Sequence, residues 1–202
     1  MKFKSAVADP QGWQTLSTEK HFGNANLDVA TEEVRSPGSR KARQWTVVHR
    51  KPAVVVAAMT TEGQLVLVRQ ERIPIRAAIW EMPAGQVDDP SARDQVALEA
   101  VALRELREET GYQLCSTGEL ISLGDYFSSP GFTDEQGYFY LARPAEVGSS
   151  GAAHTESESI LECRAFFPDE ICRMIATNEI RDANTLSAWA KLTARGLLSL
   201  RA

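Results

Sequence analysis

Arg104, Glu105, Glu108 and Glu109 stand within one short stretch, RELREETGY, running from Arg104 to Tyr112. On a helix Glu105 and Glu109 are separated by i,i+4 and Glu105 and Glu108 by i,i+3, so the three carboxylates share one edge. Like charges at that spacing weaken a bare helix by about 0.2–0.5 kcal/mol per pair. Such an edge is tolerable in water and useful when it holds a hard cation. Mg2+ takes carboxylate oxygens while keeping waters and substrate phosphates around it. Two or more such ions on one acidic face could bridge a pyrophosphate, neutralise it and activate a water. Arg104, four residues before Glu108, can orient that carboxylate through a forked hydrogen bond. The same residues also suit a solvated face laced with Arg–Glu pairs, so the surrounding sequence has to decide.

The elements around the stretch are legible from punctuation and periodicity. SARDQVALEAVALRELREETG predicts a helix of roughly 19 residues, with Ser91 as N-cap, Asp94 three positions later and Gly111 as the stop. AVVVAAMTTEGQLVLVRQER is two valine-rich strands around a Glu-Gly turn, and IWEMPAGQV a short strand ending at Pro83-Ala84-Gly85. Further strands are expected around ELISLGDYF, GYFYLAR and ILECRAFF, with SSPGFTDEQG as a loop between the first two. GSSGAAHTESES is Gly/Ser-rich and reads as a loop. Two helices close the chain, PDEICRMIAT with Pro168 near its start and a second from about Asn184 to Arg195. Ahead of all this, LDVATEEV and RQWTVVHR flank RSPGSRK, whose Pro-Gly marks the turn of a β-hairpin. The order predicts a mixed α/β domain in which a helix covers a mostly non-sequential sheet, with residues 1–50 as an N-terminal β extension and 51–202 as the main domain.

Composition narrows the partners. The 202 residues carry a net charge of −5, which argues against a general nucleic-acid surface. An acidic chain can still act on an anionic substrate when metal ions sit between the two. Cys115, Cys163 and Cys172 are odd in number and widely spaced, which suits a reducing cytoplasm better than a disulfide framework. No apolar run approaches signal-peptide or membrane-spanning length, so a cytoplasmic protein without a membrane partner is expected.

The stretch from Gly85 to Tyr112 resembles the Nudix box, a glycine, a glutamate and then R-E-U-x-E-E-x-G-U, where U is bulky and apolar. Its second half matches at every specified position. Its first half departs: counted back from Arg104, the family spacing calls for glycine at Pro90 and glutamate at Val96, whereas Gly85 lies five positions upstream of Pro90. Asp88, Asp89, Asp94 and Glu99 are candidates for the displaced glutamate. The extra residues are expected to add about one turn to the start of the helix and to leave the Glu105–Glu109 geometry untouched, with Ala84 close to Glu109. Trp13-Gln-Thr-Leu, Leu67 to Arg72, Trp80 to Gly85, Ser129 to Glu135 and Glu179 to Thr185 are similar to the ADP-ribose pyrophosphatase branch.

The resemblance implies a Nudix α/β/α sandwich with a mixed sheet and a catalytic helix, and an N-terminal β-hairpin extension that swaps across a homodimer. It implies hydrolysis of the diphosphate of ADP-ribose, or of a related nucleoside diphosphate sugar, to a nucleoside monophosphate and a sugar phosphate, with Mg2+ or Mn2+. Glu105 and Glu109 would be the main metal ligands, Glu108 a neighbouring one, and the carbonyl of Ala84 a backbone ligand. Glu158, favoured over Glu156 because an apolar residue follows two positions on, would be the general base or would position the water. Arg72 would contact the diphosphate and Arg50 the substrate. Trp13 and Trp45 would sandwich adenine, the Pro130 loop would favour ADP-ribose-type substrates, and Glu81 would contact the substrate or pair with a neighbouring arginine. Another Nudix substrate such as GDP-mannose or a dinucleoside polyphosphate, and a Nudix-like sensor that binds without cleaving, are the competing readings.

Overall fold

The computed structural model describes residues 10–88, 94–149 and 159–198. The chain divides into two compact units. One comprises Met1–Ala53, Gln86–Ser91 and Tyr126–Gly137, the other Val54–Gly85, Ala92–Asp125 and Tyr138–Ala202.

The smaller unit holds an antiparallel sheet of β1 (Gln14–Gly23), β2 (Leu27–Arg35) and β3 (Arg43–Arg50) in that order. The expected hairpin is the β2–β3 pair, in register from Leu27 opposite Arg50 to Val34 opposite Arg43. A strand that the sequence reading did not single out, β1, adds to its free edge. Every residue of β1 is exposed, so its sequence lacks the alternation that marks a half-buried strand.

The larger unit is built on a seven-stranded sheet. The central order is β10 (Ile160–Phe166), β5 (Leu65–Arg72), β4 (Ala53–Thr60), β9 (Gln136–Val147) and β8 (Tyr112–Phe127). To this β6 (Ala77–Glu81) adds on β5 and β7 (Ala84–Gln86) on β4. Residues Val54 to Ala58 and Leu65 to Val68 are all buried, the continuous apolar pattern of strands covered on both faces. Period-two alternation separates what those faces carry. Arg69 and Trp80 are cross-strand partners, and Arg164 and Phe166 lie opposite Leu67 and Leu65, so all four share one face. Val68 and Glu81 are partners on the other face, which Arg72 shares. Helix α2 (Pro168–Ala176) lies along the Arg69–Trp80 face, where Glu170, Arg173 and Met174 help to line a pocket with those residues.

Helix α1 (Gln95–Thr110) buries Leu98, Ala102 and Leu106, an i, i+4, i+8 stripe. It is shorter than expected, at 16 residues, because Asp94 and not Ser91 is its cap: the Asp94 carboxylate accepts from the Ala97 N–H at 2.9 Å. Residues 89–93 lie outside the described set, and the longer spacing from Gly85 adds no described turn to the helix. Gly111 stops it in the left-handed region at φ 72°, its N–H returning to the Arg107 carbonyl. Helix α3 (Ala183–Ala194) starts on Asp182, whose carboxylate accepts from the Thr185 N–H.

Candidate functional site

Two chemically dense regions emerge, one in each unit. In the larger unit, α1 delivers Arg104, Glu105, Glu108 and Glu109 on one edge. Arg104 divides its fork between two carboxylates, Nη2 donating to Glu105 at 2.6 Å and Nη1 to Glu108 at 2.8 Å. Glu105 and Glu109 are buried, at 5% and 3% exposure, and the Ala84 N–H donates to Glu109 at 2.9 Å. A charged side chain that deep is costly unless it is paired or hydrogen-bonded. Gly85 explains how β7 comes so close: a Cβ there would collide with the Glu105 carboxyl group, so the position takes no larger residue without moving it.

The segment before β7 is also tied down. The Met82 N–H donates to the Thr185 hydroxyl at 2.9 Å, and that hydroxyl donates to Asp182 at 2.8 Å. Asp182 and Thr185 therefore brace the Met82–Pro83–Ala84 turn from the start of α3. This positioning role is one that the sequence alone did not reveal. Arg72 and Glu81 pair closely through Nε and Nη2, and Glu81 is 3% exposed. Burial pushes the Glu81 carboxyl up against the pull of Arg72, and the hydrogen bond to Glu81 raises Arg72 further above its ordinary value. Glu81 thus fixes Arg72 with two of its nitrogens and leaves Nη1 with no partner among the described residues. Cys163 stands nearby, donating to the Thr110 carbonyl at 3.8 Å. Burial, with the charge of Glu109 adding, pushes its thiol up to about 11, so it is no thiolate at neutral pH.

The three glutamates offer only hard oxygen donors and carry more negative charge than Arg104 cancels. That donor chemistry fits a hard divalent cation. As they stand, each carboxylate is turned to a protein donor, and among the described residues no three His, Cys, Asp or Glu side chains form a ready-made metal cluster. Glu156 and Glu158 lie outside the described residues.

In the smaller unit, Trp13, Trp45 and Pro130 line one cavity of about 590 Å3, together with Phe127, Phe132, Glu32, His49 and Asp134. That is within the ~300–1,000 Å3 usual for small-molecule sites. The 128–135 loop is stitched to β3 by backbone and side chain. The Trp45 indole N–H donates to the Gly131 carbonyl at 2.7 Å and the Val48 N–H to the Phe132 carbonyl at 2.8 Å. Arg50 has its guanidinium on Glu135 at 2.9 Å and its backbone N–H on Asp134 at 3.1 Å. The buried His49 has Nδ1 at 2.8 Å from Asp134 and Nε2 at 3.4 Å from Glu32. Its hydrogen bond with Asp134 raises its pKa, burial opposes this, and Asp134, Glu32 and Asp28 add to the rise. Nothing in the sequence marks His49, because its main partner lies 85 residues away.

Comparison with known proteins places these regions in context. The NUDIX domain matches residues 49–189. The chain is 31% identical over 175 residues to the ADP-ribose pyrophosphatase of Bacillus subtilis (strain 168), covering 87% of this chain and 89% of that protein. It is 32% identical over 178 residues to the methanol dehydrogenase activator of Bacillus methanolicus, covering 87% and 89%. Among solved structures, the crystal structure of an ADP compounds hydrolase matches with a TM-score of 0.71 at 16% identity, over 94% of this chain and 99% of that one, a likeness of fold.

Proposed function

The chain belongs to the Nudix family, and from that premise we propose that it hydrolyses the diphosphate of ADP-ribose, or of a closely related nucleoside diphosphate sugar, to a nucleoside monophosphate and a sugar phosphate. The observation that carries this reading is the buried Glu105–Glu109 pair seated against Ala84 and Gly85. It is an acidic site too dry to be a solvated helix face, and its carboxylate oxygens are the donors that a hard cation takes. Mg2+, or Mn2+ in its place, would be held by Glu105 and Glu109 with Glu108 and the Ala84 carbonyl. When bound, it would neutralise the diphosphate and lower the pKa of water. Arg104 holds Glu105 and Glu108 in position. Arg72, fixed by Glu81, keeps Nη1 for a diphosphate oxygen, a charge-assisted contact of the bidentate-capable kind that arginine provides. Glu158 is proposed to take the proton of the attacking water.

The base is assigned to the aromatic cavity between Trp13, Trp45 and the Pro130 loop, where a flat ring has apolar faces to stack on. Arg50 holds that loop through Glu135 and would contact substrate from there. The exposed apolar residues Leu16 and Phe22 on β1 support a second copy of the chain as the partner of residues 1–50, which light scattering of the purified protein would test.

Nucleoside monophosphate release should be measured over a panel of ADP-ribose, GDP-mannose and a dinucleoside polyphosphate, with Mg2+ and with chelator. The expected result is Mg2+-dependent release that is fastest for ADP-ribose. A faster GDP-mannose reaction moves the base assignment. Tight binding with no release from any substrate replaces the hydrolase with a sensor.

A further inference from the structure

His49 is held in a way that a neutral imidazole does not explain. Both ring nitrogens face carboxylate oxygens, Asp134 at 2.8 Å and Glu32 at 3.4 Å. A neutral ring has one N–H and one lone pair, so one nitrogen would point its lone pair at a carboxylate. Only the imidazolium donates in both directions. Its partners come from two different segments, Glu32 from β2 and Asp134 from the loop that carries Pro130 and Phe132. Asp134 accepts a second hydrogen bond, from the Arg50 backbone N–H, and Val48 bridges Thr133 directly. The remaining charges facing this cluster are already paired, Asp28 of β2 with Lys20 of β1 at 2.7 Å and Glu135 with Arg50 at 2.9 Å.

We propose that His49 is a positioning residue, a cationic clamp that holds the Pro130–Phe132 side of the aromatic cavity at a fixed spacing from Trp45 and so sets how tightly the cavity holds a base. The proposal rests on the assignment of that cavity to the base of the substrate. The clamp is closed while His49 carries its proton. Because the His49 pKa lies above its ordinary value, the clamp persists beyond the pH at which a free imidazole loses its proton and opens as pH rises through that raised value. Above it, Asp134 keeps one hydrogen bond at most from the ring, and the imidazole loses its hold on Glu32.

The test is the dependence of KM and of AMP affinity on pH between about 6 and 10. AMP affinity is measured by calorimetry in chelator, so that it reads the cavity without turnover. In the wild type, KM for ADP-ribose and the dissociation constant for AMP should both rise by roughly tenfold across one ionisation, the equivalent of one charge-assisted hydrogen bond. kcat should follow a separate profile. His49→Gln should show the weak affinity at every pH, with no step. His49→Lys, which stays cationic to about pH 10, should restore tight binding and carry it into the alkaline range; this variant, with its melting temperature, separates the clamp from a mere failure to fold. A wild-type KM and AMP affinity without the step, a step that survives in His49→Gln, or no AMP binding at any pH would each overturn the clamp. If ADP-ribose is not hydrolysed but AMP affinity still steps with pH, the substrate reading fails and the clamp stands.

Discussion

At the end of α1 Glu105 and Glu108 share one guanidinium, Arg104, and Glu109 is held by the Ala84 N–H, whereas around His49 Asp28 has Lys20, Glu135 has Arg50, and Glu32 and Asp134 share the imidazolium between them. Both regions bury charge, and they do so with different partners. The α1 edge gathers carboxylate oxygens that suit a hard cation, which is the role proposed for it. In the β2–β3–loop cluster every carboxylate meets a cation of the chain, and the role proposed for it is to hold a shape. Carboxylates crowded along one helix edge suit chemistry, and carboxylates balanced by cations of the chain, as around His49, suit holding a surface still.

The sharpest way to break that contrast is at the glutamates. Glu105→Gln and Glu109→Gln should each lower kcat/KM by about 10^3 or more, since several kcal/mol of metal-dependent stabilisation are at stake. Melting in chelator should change little, because each change relieves like-charge repulsion while weakening one hydrogen bond. Turnover that survives in both variants, or melting points several degrees lower, would mean that the edge is structural. Gly85→Ala comes next. Its new Cβ displaces the Glu105 carboxylate, and a misplacement of about 1 Å can cost ~10^2-fold in rate. Steady-state kinetics and Mg2+ titration should show the loss, while far-UV circular dichroism stays unchanged. On the balanced side, Trp45→Ala should raise KM by roughly tenfold and barely change kcat, as loss of base stacking costs ~1–3 kcal/mol. A kcat loss as large as that of the glutamate variants would erase the distinction between the two regions.

The smallest effects are in stability, and their signs carry the comparison. Asp134→Asn weakens a buried, charge-assisted hydrogen bond worth about 1.5–3 kcal/mol and should lower the melting temperature by several degrees at about pH 6, below the ordinary imidazole value. The loss should shrink at high pH, where the wild-type His49 has itself lost its proton. Glu108→Gln should leave melting unchanged or raise it by about 1 °C, matching the ~0.2–0.5 kcal/mol of a like-charge pair. Thermal scans in chelator check both, and equal signs would refute the contrast.

The same contrast explains what could be read from the sequence. The carboxylate edge is local: Arg104 to Glu109 fit on less than two turns, and their spacing states their geometry before any fold is known. The expected sandwich, the strands and the three helices follow from apolar runs and stop signals that are also local. Ala84 lies beside Glu109 as expected. The start of α1 was misread because Ser91 and Asp94 are both good caps, and local propensity does not choose between them. β1 was missed because an exposed edge strand has no buried face to imprint a period on it. In the cavity, Trp13, Trp45 and Pro130 stood out as large or rigid residues near family motifs. His49 did not, since a histidine acquires meaning only from partners that the tertiary register brings to it, here 17 and 85 residues distant.

One consequence concerns the length of chain between Gly85 and Arg104. The two sides of the carboxylate edge are joined by contact, Ala84 on Glu109 and Gly85 on Glu105. The stretch between β7 and α1 is therefore expected to tolerate a tag, a protease site or a redesigned recognition loop without resetting the carboxylates. A search pattern that describes the Nudix box as two docked ends with a variable tether would recover chains that a fixed-spacing pattern passes over.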